Sequence, residues 1–312
     1  MTALRPFRFG VQASTAASRE QWVSFAQRVE GNGYDVLTMP DHFDKQLAPL
    51  PALMTVANAT TRLRVGALVW DNDYKHPLVL AKELATMDVL SDGRIEIGIG
   101  AGWTITDYAK AGMVYDPPKV RIDRLVEGVA IIKAAMSEGH FSHAGTHYTI
   151  TDYDGFPKPV QKPGPPILIG GGGKRVLSFA AREADIIGIN GTMTAGAIGP
   201  AAFDTMTAEA VDEKVAIVRA AAGDRIADIE LNVRAYMLNI TNERATTINS
   251  FADMLGVPAS FMEHSPFALI GTTAQIVEDL LARRERWGFS YISVSAGDVD
   301  SFAPVVAELS GK

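Results

Sequence analysis

Residues 63–103 read LRVGALVWDNDYKHPLVLAKELATMDVLSDGRIEIGIGAGW. Two short apolar runs, Val65 to Trp70 and Ile95 to Ile99, flank a segment in which Leu80, Leu84, Met87 and Leu90 recur at helical spacing. Pro77 suits the first turn of that helix, where its missing N–H costs nothing. Ser91-Asp92-Gly93 is a turn that drops into the next strand. A strand, helix and strand joined this closely form a βαβ unit, which pairs its strands in parallel. Both strands end in residues chosen for something other than packing: Trp70-Asp71-Asn72-Asp73 and Gly98-Ile-Gly-Ala-Gly102-Trp103. Ligands bind at the carboxyl ends of parallel strands.

Outward from this unit the alternation continues. Upstream lie strands at Arg8 to Ala13 and Tyr34 to Met39, the second running into Pro40-Asp41-His42-Phe43. Ser18 and Gln21 have capping-box spacing at the head of the first helix, and Pro51 to Thr60 gives a second. Downstream, a loose stretch reaches Pro118, and a helix carries Ile122, Leu125, Val129 and Ile132. The segment 139–165 reads as a hairpin insertion and proline-rich linker. Strands follow at Pro166 to Ile169, Ile186 to Asn190, Ile229 to Ile240 and Tyr291 to Ser295, with helices between them. Residues 191–207 form a long loop insertion on the ligand side, 256–270 a connection, and Thr272 with Gln275 a second capping box. Eight strands separated by helices without a sequence repeat predict an α/β protein, a (β/α)8 TIM barrel in one domain over 1–312, with an open doubly wound sheet as the alternative.

The 312 residues are 47% hydrophobic, enough for a large core. With 36 acidic against 29 basic residues the net charge is −7, which argues against a nucleic-acid or anionic-membrane surface. No apolar run approaches a bilayer span and MTALRPFRFG lacks a signal-peptide core, so the expectation is a soluble cytoplasmic protein. The absence of cysteine excludes disulfides, thiolate nucleophiles and cysteine metal sites. His140, His143 and His147 are spaced like helix-borne ligands, but Gly139 and Gly145 make the segment a hairpin, so no metal site is expected. The Arg283-Arg284-Glu285-Arg286 run is read as surface pairing near a helix C-terminus.

Taken in order, His76-Pro77, Asp88-Val-Leu-Ser-Asp-Gly-Arg94, Gly98 to Gly102, Pro157-Lys-Pro-Val-Gln-Lys-Pro163, Pro165 to Gly173, Ala184-Asp185 and Gly271-Thr272 resemble the signatures of the bacterial-luciferase-like superfamily of TIM barrels. Within it, Asp41-His42 resembles the pair found in oxidoreductases that use the deazaflavin coenzyme F-420. The resemblance implies hydride transfer to or from the deazaflavin carbon that replaces flavin N5, on a small-molecule substrate, in a homodimer. It also implies a non-prolyl cis peptide at Leu68-Val69 that props up the coenzyme ring. Relatives acting on sugar phosphates carry a tryptophan after the Asp-His pair and a glutamate after the GxGxG. Here Lys45, Gln46 and Trp103 occupy those neighbourhoods, so sugar-phosphate oxidation is not implied.

The residues support their own reading. His42 can exchange a proton near neutral pH, with Asp41 beside it, although such a pair can also simply satisfy local backbone groups. Gly170, Gly171, Gly172 and Gly173 before Lys174 permit close backbone approach, and a helix start attracts phosphate, although a merely flexible loop has the same composition. Asp41, Asp71, Gly102 and Trp103 join Leu68 and Val69 as candidate coenzyme contacts. Gln12, Phe43, Trp70, Trp103 and Met193 are candidate substrate contacts, which predicts a fairly apolar substrate. The competing readings are an FMN-dependent monooxygenase, a non-catalytic flavin-binding relative and, last, a glycosidase, for which no acid–nucleophile carboxylate pair is evident.

Overall fold

In the computed structural model, which describes residues 4–193, 196 and 199–312, the βαβ stretch is part of a closed cylinder. Its eight strands are β1 (Arg8–Gln12), β2 (Val36–Met39), β3 (Arg64–Ala67), β4 (Ile95–Gly100), β5 (Ile167–Gly171), β6 (Ile186–Ile189), β7 (Glu230–Arg234) and β8 (Phe289–Ser295). Every neighbouring pair is parallel, and β8 pairs with β1 at Phe9↔Ile292, which closes the ring. The open doubly wound alternative is thereby excluded, and the eight barrel strands are those expected from the sequence.

Strand alternation sorts the residues. Phe9, Val11, Leu37, Val65 and Ile97 are fully buried in the main hydrophobic core. Val36, Leu168, Ile186 and Tyr291 form a separate cluster against which Leu68 and Val69 pack. Gly10 lies against Tyr291: a Cβ there would stand 2.9 Å from the ring. At the amino ends of the strands Arg8 bridges Glu96 at 2.5 Å and Glu230 at 2.6 Å, and Arg64 meets Glu96 at 2.8 Å. Burial pushes the Glu96 carboxyl up, but the two guanidinium groups outweigh it and hold it below the usual range.

The helix after β3 runs from Pro77 to Leu90, capped by His76 through Nδ1. Thr272 and Gln275 form the full reciprocal capping box; at Ser18 the Gln21 side chain bonds Ala17 N instead. The hairpin is present as antiparallel strands His140–Ala144 and Thr149–Asp154.

Three expectations change. The loose stretch before Pro118 contains a helix, Ile105–Ala111, too short to show a period and stopped by Gly112 at φ +66°. The expected seventh strand ends at Arg234; the chain leaves the barrel and Met237–Ile240 pairs with Ala268–Gly271, inside the supposed connection. Arg283 is 7% exposed rather than on the surface, donating to Pro266 O. Within the 191–207 insertion a short helix spans Pro200–Phe203, while residues 194, 195, 197 and 198 lie outside the described residues.

Candidate active site

The carboxyl ends of the strands surround a cavity of about 380 Å³, within the range of small-ligand sites. Its wall includes Gln12 from the end of β1, Asp41 and His42 after β2, Leu68, Val69 and Asp71 after β3, and Gly102 and Trp103 after β4. Gly170 and Gly171 end β5 with Gly172 and Gly173 just beyond it, Met193 follows β6, Arg234 ends β7 and Tyr236 follows it. His42 and Gly171 therefore open onto one space, as a single binding site requires.

The Leu68-Val69 peptide is cis, and Gln12 Nε2 donates to Leu68 O at 2.7 Å. A Cβ on Gly100 would stand 2.8 Å from Val69 Cγ2, and one on Gly170 would stand 3.3 Å from Val69 Cγ1. Glycine backbone thus packs around Val69 where side chains would crowd it. At Gly172 a Cβ would meet Gly191 O at 2.5 Å and Asn190 O at 2.6 Å, so this approach also requires glycine. Gly173 caps the helix Lys174–Glu183 without any side-chain cap bond, so the first-turn N–H groups are available to an anion. A flat heterocycle with an anionic tail fits these walls.

His42 is held from outside the Asp41-His42 pair. Its Nδ1 lies 2.6 Å from Asp107 Oδ2, and Asp107 is completely buried on the unexpected helix. Asp107 also accepts from Phe43 N and the Tyr74 hydroxyl, each at 3.3 Å. With Nδ1–H donated to the carboxylate, Nε2 is left to exchange a proton. The ring stands edge-on to Trp103, with centroids 5.7 Å apart.

Asp41 is not the orienting residue suggested by its adjacency. Its Oδ2 accepts from Asp71 N at 3.2 Å, because successive residues leaving a strand point apart. Burial pushes its carboxyl up to about 6 despite that bond and Lys75. Burial, with Asp73 and Asp41 nearby, pushes Asp71 up to about 7. Asp73 is matched by Arg124 at 2.7 Å. Tyr108, buried beneath, donates to both Asp71 and Asp73.

Three candidate contacts lie off the cavity wall. Phe43 is 50% exposed and packs on Tyr74 with ring centroids 4.7 Å apart. Trp70 is buried in the main core, since alternation that turns Asp71 to the cavity turns Trp70 away. Lys174 is exposed at the helix start, outside the lining. Sequence reading missed Asp107, Arg121, Asn190, Arg234 and Tyr236. Only Asp107, an acid shortly after the GxGxG, carried any local signal.

Among proteins of known sequence, the F-420-dependent glucose-6-phosphate dehydrogenase of Amycolatopsis mediterranei is 31% identical over 185 residues, 54% of each chain. The FMNH(2)-dependent dimethylsulfone monooxygenase of Pseudomonas putida is 27% identical over 198 residues, 60% of this chain and 54% of its own. This chain thus spans about half the length of the curated relatives it matches. Among solved structures, the coenzyme F-420 dependent tetrahydromethanopterin reductase of Methanopyrus kandleri superposes with a TM-score of 0.78 at 15% identity, covering 97% of this chain and 99% of that one. That likeness establishes the barrel. Residues 1–291 match the luciferase-like monooxygenase family, and the chain, with its glycine-walled cavity at the carboxyl ends of a closed parallel barrel, belongs to that family.

Proposed function

We propose that the protein is an oxidoreductase that uses coenzyme F-420 to move a hydride to or from a small, largely apolar organic substrate. The observation that carries this reading is His42, held at 2.6 Å by the buried Asp107 on the wall of the glycine-lined cavity. In this reading His42 gives or takes the substrate proton through Nε2, and Asp107 orients it. Gly170 to Gly173 and the helix start receive the coenzyme's anionic tail, while Leu68 and Val69 support its ring. Bound there, the deazaflavin would supply the carbon that carries the hydride. Trp103, Ile122, Ile189 and Met193 offer the substrate an apolar wall in this reading. Homodimerisation belongs to the same reading, by likeness to the family.

Equilibrium binding of coenzyme F-420 against FMN to the purified protein tests the coenzyme. Preference for FMN, with oxygen consumption, would favour the second reading, an FMN-dependent monooxygenase, which the Pseudomonas putida relative supports. Binding of either without any turnover would favour a non-catalytic role. Full turnover by His42→Ala across pH would remove the acid–base assignment.

A further inference from the structure

Asp41, His42, Asp71, Arg121 and Arg234 are the acidic, basic and imidazole side chains on the cavity wall. Four have partners that account for them. Asp41, His42 and Asp71 bond to Asp71 N, Asp107 and Asp73 N respectively. Arg121 spends its donors on the carbonyls of Ala101, Gly102 and Asp116 and on the Tyr115 hydroxyl, pinning the segment after β4.

Arg234 differs. One terminal nitrogen makes a long bond of 3.4 Å to Ser295 Oγ, and Nε is buried with no partner among the described residues. No carboxylate among them forms an ion pair with it, and Asp298 acts on it only from beyond that range. Its guanidinium carbon stands 4.9 Å from the Tyr236 ring centre, a contact that offsets part of the charge but takes none of the N–H donors. Burial pushes this guanidinium below its ordinary value. A hydroxyl contact at 3.4 Å does not require a cation, and a half-buried cation whose Nε is sealed from water without an ion-pair partner is unfavourable in a folded chain. Such a group persists where a ligand brings the missing charge.

Its place in the ring gives the ligand a direction. In a closed barrel of eight strands β7 stands opposite β3, so Arg234 lies across the mouth from Asp71, with β6 between it and the glycine end of β5. We infer that Arg234 anchors an oxyanion, a carboxylate or phosphate carried by the substrate, and is a specificity-determining residue of this site. The planar guanidinium offers paired donors that match two oxygens of such a group. The inference rests on the oxidoreductase reading, because it assigns the β5 side to coenzyme and the β7 side to substrate. The substrate is then an apolar body with one anionic substituent.

The test is calorimetric titration of inorganic phosphate, at matched ionic strength, into the F-420-loaded wild type, Arg234→Gln and Arg234→Lys. The expected result is binding to the wild type, weakened about tenfold or more in Arg234→Gln and by less in Arg234→Lys. F-420 affinity should stay within about twofold, as expected of a side chain that does not touch the coenzyme. Equal phosphate binding by wild type and Arg234→Gln overturns the inference, and so does a parallel loss of F-420 affinity, which would assign the guanidinium to the coenzyme. Should wild type not bind F-420, the coenzyme reading fails by itself. The same titration of the ligand-free protein then decides Arg234, read as the phosphate binding that Arg234→Gln loses beyond any at the Gly173 helix start: such a loss supports the anchor, and identical isotherms overturn it. If Arg234→Gln does not fold, Arg234→Lys decides, with wild-type phosphate affinity as the overturning result.

Discussion

Replacing Asp71 with asparagine tests whether the cavity wall stores a proton near neutral pH. Asp71 is 7% exposed, and burial beside Asp73 and Asp41 lifts its carboxyl from 3.8 to about 7. The folded chain therefore binds this proton more tightly than the unfolded one. The associated stability is fully present below about pH 4 and is lost as pH rises through about 7. At about 1.4 kcal/mol per pH unit, the whole rise is worth roughly 4 kcal/mol. Asparagine retains the oxygen that accepts from Asp73 N at 2.9 Å and from Tyr108 at 3.3 Å, and it cannot ionise. Urea midpoints should show the two proteins similar near pH 4 and the variant more stable by about 2–4 kcal/mol near pH 8. Asp41, lifted to about 6 by burial, titrates in the same window. The Asp41→Asn/Asp71→Asn pair should therefore flatten the profile further. A stability difference that stays constant over this range would refute the reasoning.

His42→Ala should lower turnover by about 10²–10⁴-fold, and Asp107→Asn by about 10–100-fold through loss of a charge-assisted hydrogen bond. Neither should change F-420 affinity appreciably, and steady-state kinetics beside equilibrium binding separates the two effects. Glu96→Gln leaves Arg8 and Arg64 short of a counter-charge at the opposite end of the barrel. It should cost about 3–5 kcal/mol in chemical denaturation while the folded protein still binds coenzyme normally. Lys214, lowered to about 8 by burial, donates to Asn190 O and Thr205 O at 2.6 Å each and so ties together the two ends of the loop after β6. Lys214→Met should accelerate amide hydrogen exchange at Gly191 and Thr192, read by NMR or mass spectrometry, more than at the β4 strand.

The barrel was legible because its strands are continuous apolar runs between helices whose period and caps are local. The signatures that carried the family resemblance are structural at their core: Asp88 accepts from Gln161, and Arg94 donates to Ala57 O and Leu63 O, fixing the linker and the amino end of β4. What stayed hidden was non-local. Asp107 reaches His42 across 65 positions, and Ala268–Gly271 gains its partner strand only after the chain has turned away from the barrel. Trp70 and Phe43 have residue types suited to a pocket wall, yet alternation and packing on Tyr74 decide where they go. Arg234 gave no signal at all, because a cation is singled out by the partners it lacks.

The departure of the chain from the cylinder after Arg234 makes a natural graft point. Residues 237–271 begin and end in a two-stranded ledge of their own, and Tyr236 joins it to the mouth by bonding Phe267 O through its amide and Asn190 through its hydroxyl. Exchanging that segment among relatives would change what stacks on the Tyr236 ring, here Phe267 with centroids 6.0 Å apart, and leave every rung of the eight-stranded ladder in place.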